Sequence, residues 1–406
     1  MADFENKEDE SGGEEEEVED LSNSDVTTKY QEAAKIANLA LQGVMQACMP
    51  GAIVKDLCKF GDEVIEQRCQ SIFRAKVKGE KVTKGVAFPT CVSVNECVCH
   101  NCPLELEAGL QQPLAEGDLV KIDLGCHIGG YMAVVAHTLK VGHDPTPEKP
   151  ISGVEADVFL AAYQAAEVAA KMIKPGNTNV QVTAGMKKVA DAYGVNLMQG
   201  TLMHQKKRYI IDGRKVIMLR EDPDNKVEDC TFEENEVYAV DVAVSSGEGK
   251  PREAGTRTTV FKRVVNKTYQ LKMKASRYLL KEVNSRFPTL PFCLRSMEDE
   301  KSARMGVVEC LNHELVIPYP VLFERQGDKV AHFKFTVLLL PSGTSKVTGM
   351  QCNVAGFSTD KTLDEETRAV LASSSKKKKK KKKKAAAAAD AAAAEGGAEA
   401  AAGADP

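Results

Sequence analysis

Two stretches of this chain carry the same order of hydrophobic and polar patterns. In the first, apolar residues recur at helical spacing from a predicted cap at Asp25 through Tyr30, Ile36, Leu39 and Val44, and the run stops at Met49-Pro50-Gly51. Proline lacks the N–H that a helix interior uses and glycine suits its exit, so the pair predicts a helix end. A second amphipathic segment follows from Val54 to Ile65, and further on Asp118-Leu-Val-Lys-Ile-Asp123 has the look of a strand. The second stretch repeats the series. Val158 to Lys174 ends at Pro175-Gly176, Val180 to Tyr193 is again amphipathic, and Glu236-Val-Tyr-Ala-Val-Asp241 supplies the strand. The Pro-Gly pairs lie 125 positions apart and the two aspartates 118. Units recurring at that distance predict two pseudo-equivalent halves around one site, an α+β sheet core covered by helices.

The pattern changes beyond residue 257. Between 257 and 286 there are nine Lys or Arg against the single acid Glu282, and from Met297 to Glu314 the sequence turns helical with mixed charge. Residues of about 257–325 are therefore predicted to be an inserted helical element with a positive surface. Lys262, Arg263, Lys267, Lys272, Lys274, Arg277 and Lys281 are its candidate contacts to phosphate backbone, because clustered cations are the electrostatic footprint of nucleic-acid binding. Lys206-Lys207-Arg208 form a second basic run.

Composition adds boundaries. A chain of 406 residues with 43% hydrophobic positions can bury a large core. The net charge of −4 hides segregated blocks, since residues 3–25 carry twelve acids and one Lys, and 376–384 are nine consecutive lysines before an Ala-rich end. Neither end can bury enough apolar surface to offset its ordering entropy. The expected organisation is an acidic disordered tail at 1–24, one folded domain at 25–373 and a disordered tail at 374–406. The lysine run, with Lys376, Lys380 and Lys384, reads as a nuclear or nucleolar address, an RNA-binding arm, or both. No apolar run approaches 18 residues, and Met1-Ala2-Asp3-Phe4-Glu5 has neither the basic nor the apolar part of a signal peptide. A cytosolic or nuclear chain with reduced cysteines and no membrane contact is expected. Cys97, Cys99, His100 and Cys102 are dense enough to suggest zinc, but on an extended segment His100 points away from Cys97 and Cys99, so packing is the expected role.

Several blocks carry a family resemblance. Ala87-Phe-Pro-Thr-Cys-Val-Ser-Val-Asn-Glu-Cys-Val-Cys-His100, Lys121-Ile-Asp123-Leu-Gly125, His204 and Glu236-Val-Tyr-Ala-Val-Asp241 resemble the successive active-site blocks of type 2 methionine aminopeptidases. The resemblance implies the pita-bread fold, with pseudo-two-fold halves and a helical insertion. It also implies a two-metal site of two Asp, one His and two Glu, and here the chain departs. The first Asp is Asp123 and the His is His204, but the second Asp position holds Val134, the first Glu position the shorter Asp241, and the last Glu position Lys334. The proton-handling histidines fall on His100 and, for the second, on Asp212. Valine offers no donor and an ammonium has no lone pair, so neither a metal cofactor nor a catalytic residue is expected. Lys334 is instead expected to act as a counter-ion between Asp123 and Asp241, with snorkelling to solvent as the competing reading.

Val237-Tyr-Ala-Val-Asp-Val-Ala-Val-Ser-Ser-Gly-Glu-Gly249 and Glu298-Asp-Glu-Lys-Ser-Ala-Arg-Met-Gly-Val-Val-Glu-Cys310 are similar to a catalytically silent branch of this fold, the proliferation-associated and ErbB-receptor-binding proteins. That resemblance implies binding to the large ribosomal subunit, both its RNA and the proteins near the nascent-chain exit, and to structured RNA. It further implies roles in ribosome assembly, translation and growth regulation, nuclear protein partners, a monomer, and a cytoplasmic, nuclear and nucleolar location. The Leu-x-x-Leu-Leu co-regulator motif of some members is not found around Thr367-Arg-Ala-Val-Leu371. Two alternatives stay open: a peptidase with one retained metal at Asp123, Asp241 and His204, and a protein-binding signalling or transcriptional adaptor.

Overall fold

Helix α1 (Ser24–Ala47) starts on the side chain of Asn23, which accepts from the Asp25 N–H. The cap is therefore Asn23 and not Asp25, and Leu21 just before it is buried with Val26, Tyr30 and Tyr131. The computed structural model describes residues 20–374 apart from 78, 111 and 223–225. Residues 3–19 of the acidic tail and the lysine run with Lys376, Lys380 and Lys384 lie outside the described residues.

Helix α2 (Val54–Ser71) follows, then strands β1 (Lys84–Val94), β2 (Leu119–Ile128) and β3 (Tyr131–Lys140). A Gly129-Gly130 turn with both φ positive joins β2 to β3, the left-handed pair that a tight hairpin requires. The second half runs α3 (Val154–Met172), α4 (Asn179–Tyr193), β4 (Leu202–Lys206), β5 (Val216–Met218) and β6 (Val237–Ser245), and is completed by β7 (Val330–Leu340). Helix α4 opens with a full capping box, Thr178 and Gln181 each accepting from the other's backbone N–H, and ends on Gly194 in the left-handed conformation.

The long sheet has the order β5-β4-β6-β7-β3-β2-β1, with antiparallel neighbours throughout. Helices α1 and α2 pack on the β1 to β3 end, α3 on β6 and β7, and α4 on α3. The faces of α1 and α3 turned inward are rich in alanine, and such small side chains let a helix lie close to a sheet. Two large apolar cores result, one holding α1 and α2 and the other α3 and α4. These are the two halves that the repeat predicts, in the pita-bread arrangement.

The insertion differs from the helical element expected for it. Val260–Arg263 is the middle strand of a small antiparallel sheet, flanked by Phe292–Cys293 and Val316–Tyr319. Helices α5 (Lys274–Arg286) and α6 (Glu300–Asn312) pack on each other. They meet at Gly306, where a Cβ would lie 2.4 Å from the Ala275 carbonyl oxygen. A final helix, α7 (Glu365–Ala372), packs on α3.

Candidate functional site

Register explains how the site is assembled. Asp241 on β6 lies opposite Lys334 on β7, Lys334 lies opposite Ala136 on β3, and Ala136 lies opposite Asp123 on β2. Directly opposed residues in a sheet share a face, so these four form one row across the seam between the halves. Ala136 is short enough for Lys334 to reach over it. The Lys334 Nζ stands 2.5 Å from Asp123 Oδ2 and 2.9 Å from Asp241 Oδ2. His332, two positions earlier on the same strand and hence on the same face, brings its Nε2 to 2.6 Å from the other Asp241 oxygen. Phe88 adds a ring face 5.3 Å from the ammonium.

Burial sets the electrostatics. The Lys334 side chain is only 10% exposed, so it does not snorkel. Burial alone would push its ammonium down, but the charges of Asp123 and Asp241 outweigh this and hold it above its ordinary value. Burial likewise opposes ionisation of Asp241, and the Lys334 ammonium together with the hydrogen bond from His332 overcomes it, leaving that carboxyl well below the usual range. The group is a buried lysine locked between two aspartates.

Around it opens a cavity of about 590 Å³, lined by the polar row together with apolar residues such as Val98, Val134, Ala239, Ile317 and Leu322. Every position of the implied metal site faces it: Asp123, Val134, His204, Asp241 and Lys334, with His100 and Asp212 nearby. His204 is half-buried, with Nδ1 3.4 Å from the Gly213 oxygen. His100 has a left-handed backbone and a ring nitrogen 3.0 Å from the Pro320 carbonyl oxygen. Burial pushes its pKa down, which favours a neutral ring. Asp212 is exposed and paired with Lys262.

The donor set does not fit two divalent metals. The volume between the two aspartates is filled by an ammonium, and Val134 presents only hydrocarbon where a carboxylate is needed. Among the described residues no group of three or more His, Cys, Asp or Glu is placed to hold a metal ion.

The basic candidates separate into three kinds. Lys206 is not on the surface. It lies on β4 two positions after His204, only 3% exposed, with its amine lacking a hydrogen-bond partner, and burial followed by repulsion from Lys334 pushes its pKa well down. Alternation along a strand turns Lys206 inward and Lys207 outward, a signal that the run of three cations masked. Lys207 and Arg208 are exposed, and the Arg208 guanidinium lies over Tyr131 and Tyr209. In the insertion, Lys262 and Lys267 are neutralised by Asp212 and Glu314, and Arg263 is half-buried. Lys272, Lys274, Arg277 and Lys281 are exposed and form no salt bridge among the described residues. The last three recur at i, i+3 and i+7 of α5, so they form one outward stripe.

His332 and Ala136 are the contributors that sequence reasoning missed. Spacing of two from Lys334 could have identified His332, whereas Ala136 emerges only from the register of β3 on β7. The Cys97 to Cys102 segment has no convergent ligand set, and all twelve cysteines are free.

The model of metallopeptidase family M24 matches residues 28–268. ErbB-3 binding protein 1 of Solanum tuberosum is 49% identical over 330 residues, covering 81% of this chain and 82% of the relative. Proliferation-associated protein A of Dictyostelium discoideum is 46% identical over 334 residues, covering 82% and 84%. Among solved structures, a thermophilic Arx1 superposes with a TM-score of 0.80 at 32% identity, over 87% of this chain and 100% of that one.

Proposed function

Because the chain belongs to metallopeptidase family M24, and within it to the ErbB-3-binding and proliferation-associated proteins, we propose that it is a peptidase homologue without peptidase activity that binds structured RNA and the large ribosomal subunit through its insertion. The observation that carries this reading is the cation stripe of α5, set outside a cavity whose own charges are already neutralised by Lys334. A peptidase of this fold needs a metal-activated water, and the ammonium leaves it no place. The single-metal alternative on Asp123, Asp241 and His204 requires that ammonium to be displaced from both of its partners.

The surface supports binding by shape and phosphate contact. The chain has no Trp, and the stripe presents charge rather than a stacking platform. The N-terminal end of α5 is already met by the Glu309 carboxylate, which accepts from the Lys272 and Met273 N–H groups, so the lysine ammonium groups there are left to face outward. Contact with ribosomal RNA near the nascent-chain exit, in the cytoplasm and during assembly in the nucleus and nucleolus, is the setting we propose. The lysine run would add reach.

The test is ribosome co-sedimentation across a salt series, wild type against Lys272→Glu/Lys274→Glu/Arg277→Glu. Each lost phosphate contact should lower the salt slope by roughly 0.7–0.9, so the triple variant should lose about two to three from the slope and pellet poorly at moderate salt. Because Glu309 already accepts from the Lys272 and Met273 N–H groups and Arg277 donates to the Leu271 and Lys272 carbonyl oxygens, the melting temperature of the variant is measured alongside, and pelleting is compared only where both proteins are folded. Equal pelleting of both proteins would remove the insertion as anchor, and stoichiometric metal with cleavage of Met-peptides would show the chain to be a working peptidase.

A further inference from the structure

Behind the cavity, where the insertion meets the first half, four cysteines from four elements converge. Cys58 comes from α2, Cys91 from β1, Cys102 from the turn after the left-handed His100, and Cys293 from the insertion strand Phe292–Cys293. The Cys102 sulfur lies 3.2 Å from that of Cys293. The Arg295 guanidinium reaches it at 3.5 Å while pairing with Asp62 at 2.6 Å. Thr259, in the insertion, donates to the Cys102 carbonyl at 2.6 Å. The turn is thus fixed against the insertion on both sides of the sulfur pair.

Arg295 and the neighbouring thiols act together on Cys102. Contact with the thiols of Cys293, Cys58 and Cys91 outweighs burial, and the guanidinium adds a positive charge, so the Cys102 pKa is held well below the usual thiol value. As a thiol Cys102 donates to the Cys293 sulfur, while Cys58, Cys91 and Cys293 donate to the carbonyl oxygens of Asn101, Pro89 and Cys102. Cys293 is pushed the other way, chiefly by burial. Cys102, the sulfur beside the Arg295 guanidinium, is accordingly assigned as the nucleophile and Cys293, 3.2 Å away, as the resolving thiol. A second close pair, Cys69 and Cys126 at 3.6 Å, joins α2 to β2 inside the first half, so a bond there would not reach the insertion.

We propose that Cys102 and Cys293 are a modification site for small hydroperoxides, forming a disulfide that fastens the basic insertion to the turn after His100. The Cys102 thiolate attacks one peroxide oxygen, the O–O bond breaks, and the departing oxygen leaves as water after protonation. The sulfenic acid formed on Cys102 is then attacked by the Cys293 sulfur, the S–O bond breaks, and a second water leaves with the Cys293 proton. Two thiols lose two electrons and one hydrogen peroxide is reduced to two waters. With Cys102 only 1% exposed and Cys293 wholly buried, only a compact oxidant fits, and bulky thiol reagents should react first at half-buried Cys99, Cys230 and Cys352. The bond would close a loop of 191 residues, and long loops restrict the unfolded chain most.

The test is to expose the native full chain to hydrogen peroxide, block remaining thiols, and map cross-linked peptides by mass spectrometry. The expected product is a Cys102–Cys293 pair lighter by two hydrogens, reversed by dithiothreitol, with a melting temperature several degrees above that of the reduced protein. Cys293→Ser should lose both the cross-link and the rise, whereas Cys69→Ser should keep them. Should Cys293→Ser fold poorly, the wild-type map still decides. Cys102 and Cys293 remaining reduced until denaturant is added would overturn the proposal, as would a peroxide product on Cys102 that never reaches Cys293.

Discussion

Replacing Lys334 by methionine keeps a side chain of similar length and removes only the charge. Asp123 and Asp241 then face each other across Ala136 without their shared cation, in a site where the lysine is 10% exposed and Asp123 6%. Removing one partner from a buried ion pair costs about 3–5 kcal/mol, because the remaining charge is left uncompensated. His332 still donates to Asp241, so the lower half of that range is the expected loss. At about 2 °C per kcal/mol for a chain of this size, the melting temperature should fall by roughly 6–8 °C at pH 7.

The pH dependence separates this from mere loss of packing. In the wild type Asp241 is held below the usual carboxylate range, so its contribution is present above about pH 4 and lost only as pH falls through its depressed value. Lys334 is held above its ordinary value, so its contribution is present below about pH 10 and lost only as pH rises through that raised value. The triad is accordingly flat across the neutral range. In Lys334→Met two like charges share a site, one carboxyl pKa rises, and the variant gains stability as pH falls from 8 toward 5. Differential scanning calorimetry of both proteins at pH 5.5, 7 and 8 tests this. A melting temperature within a degree of wild type at pH 7, or a deficit that does not shrink on acidification, would refute the counter-ion role.

Two further outcomes follow from the same geometry. Gly306→Ala should destabilise by about 1–3 kcal/mol, because the added methyl meets the Ala275 carbonyl oxygen at 2.4 Å and backbone cannot give way as a side chain can. Limited proteolysis should then cut around α5 and α6 before the main sheet, and unchanged protection there would count against close packing at that crossing. His127 and His137 are buried, and burial pushes both pKa values down to about 4. Neutral in the fold and protonated when unfolded, each contributes stability that is present above about pH 6.5 and lost as pH falls toward 4. His137→Leu should lower the proton uptake on unfolding near pH 5 by about one, a change readable from urea midpoints between pH 7 and 4.5.

What is legible in the sequence is whatever has a short period. The paired Pro-Gly stops and the two aspartates mark the halves, and Asp123 and Asp241 do sit on either side of one seam. Contacts between distant strands leave no such trace. The insertion strands Val260–Arg263 and Val316–Tyr319 are only four residues each, so their alternation is too brief to stand out from the charged residues around them. Lys206 fails for a different reason: three adjacent cations read as one surface patch, although a strand must turn every second side chain inward. The same rule, applied to Lys334, would have drawn in His332 and described the site as two acids held by a lysine and a histidine. A cavity organised by its own lysine has no need of a metal to keep its aspartates together, so the fold can persist without one. Lys274, Arg277 and Lys281 on α5 face outward without a salt bridge among the described residues, as the surface proposed to meet RNA requires, and the lysine-filled cavity belongs to the frame that carries them.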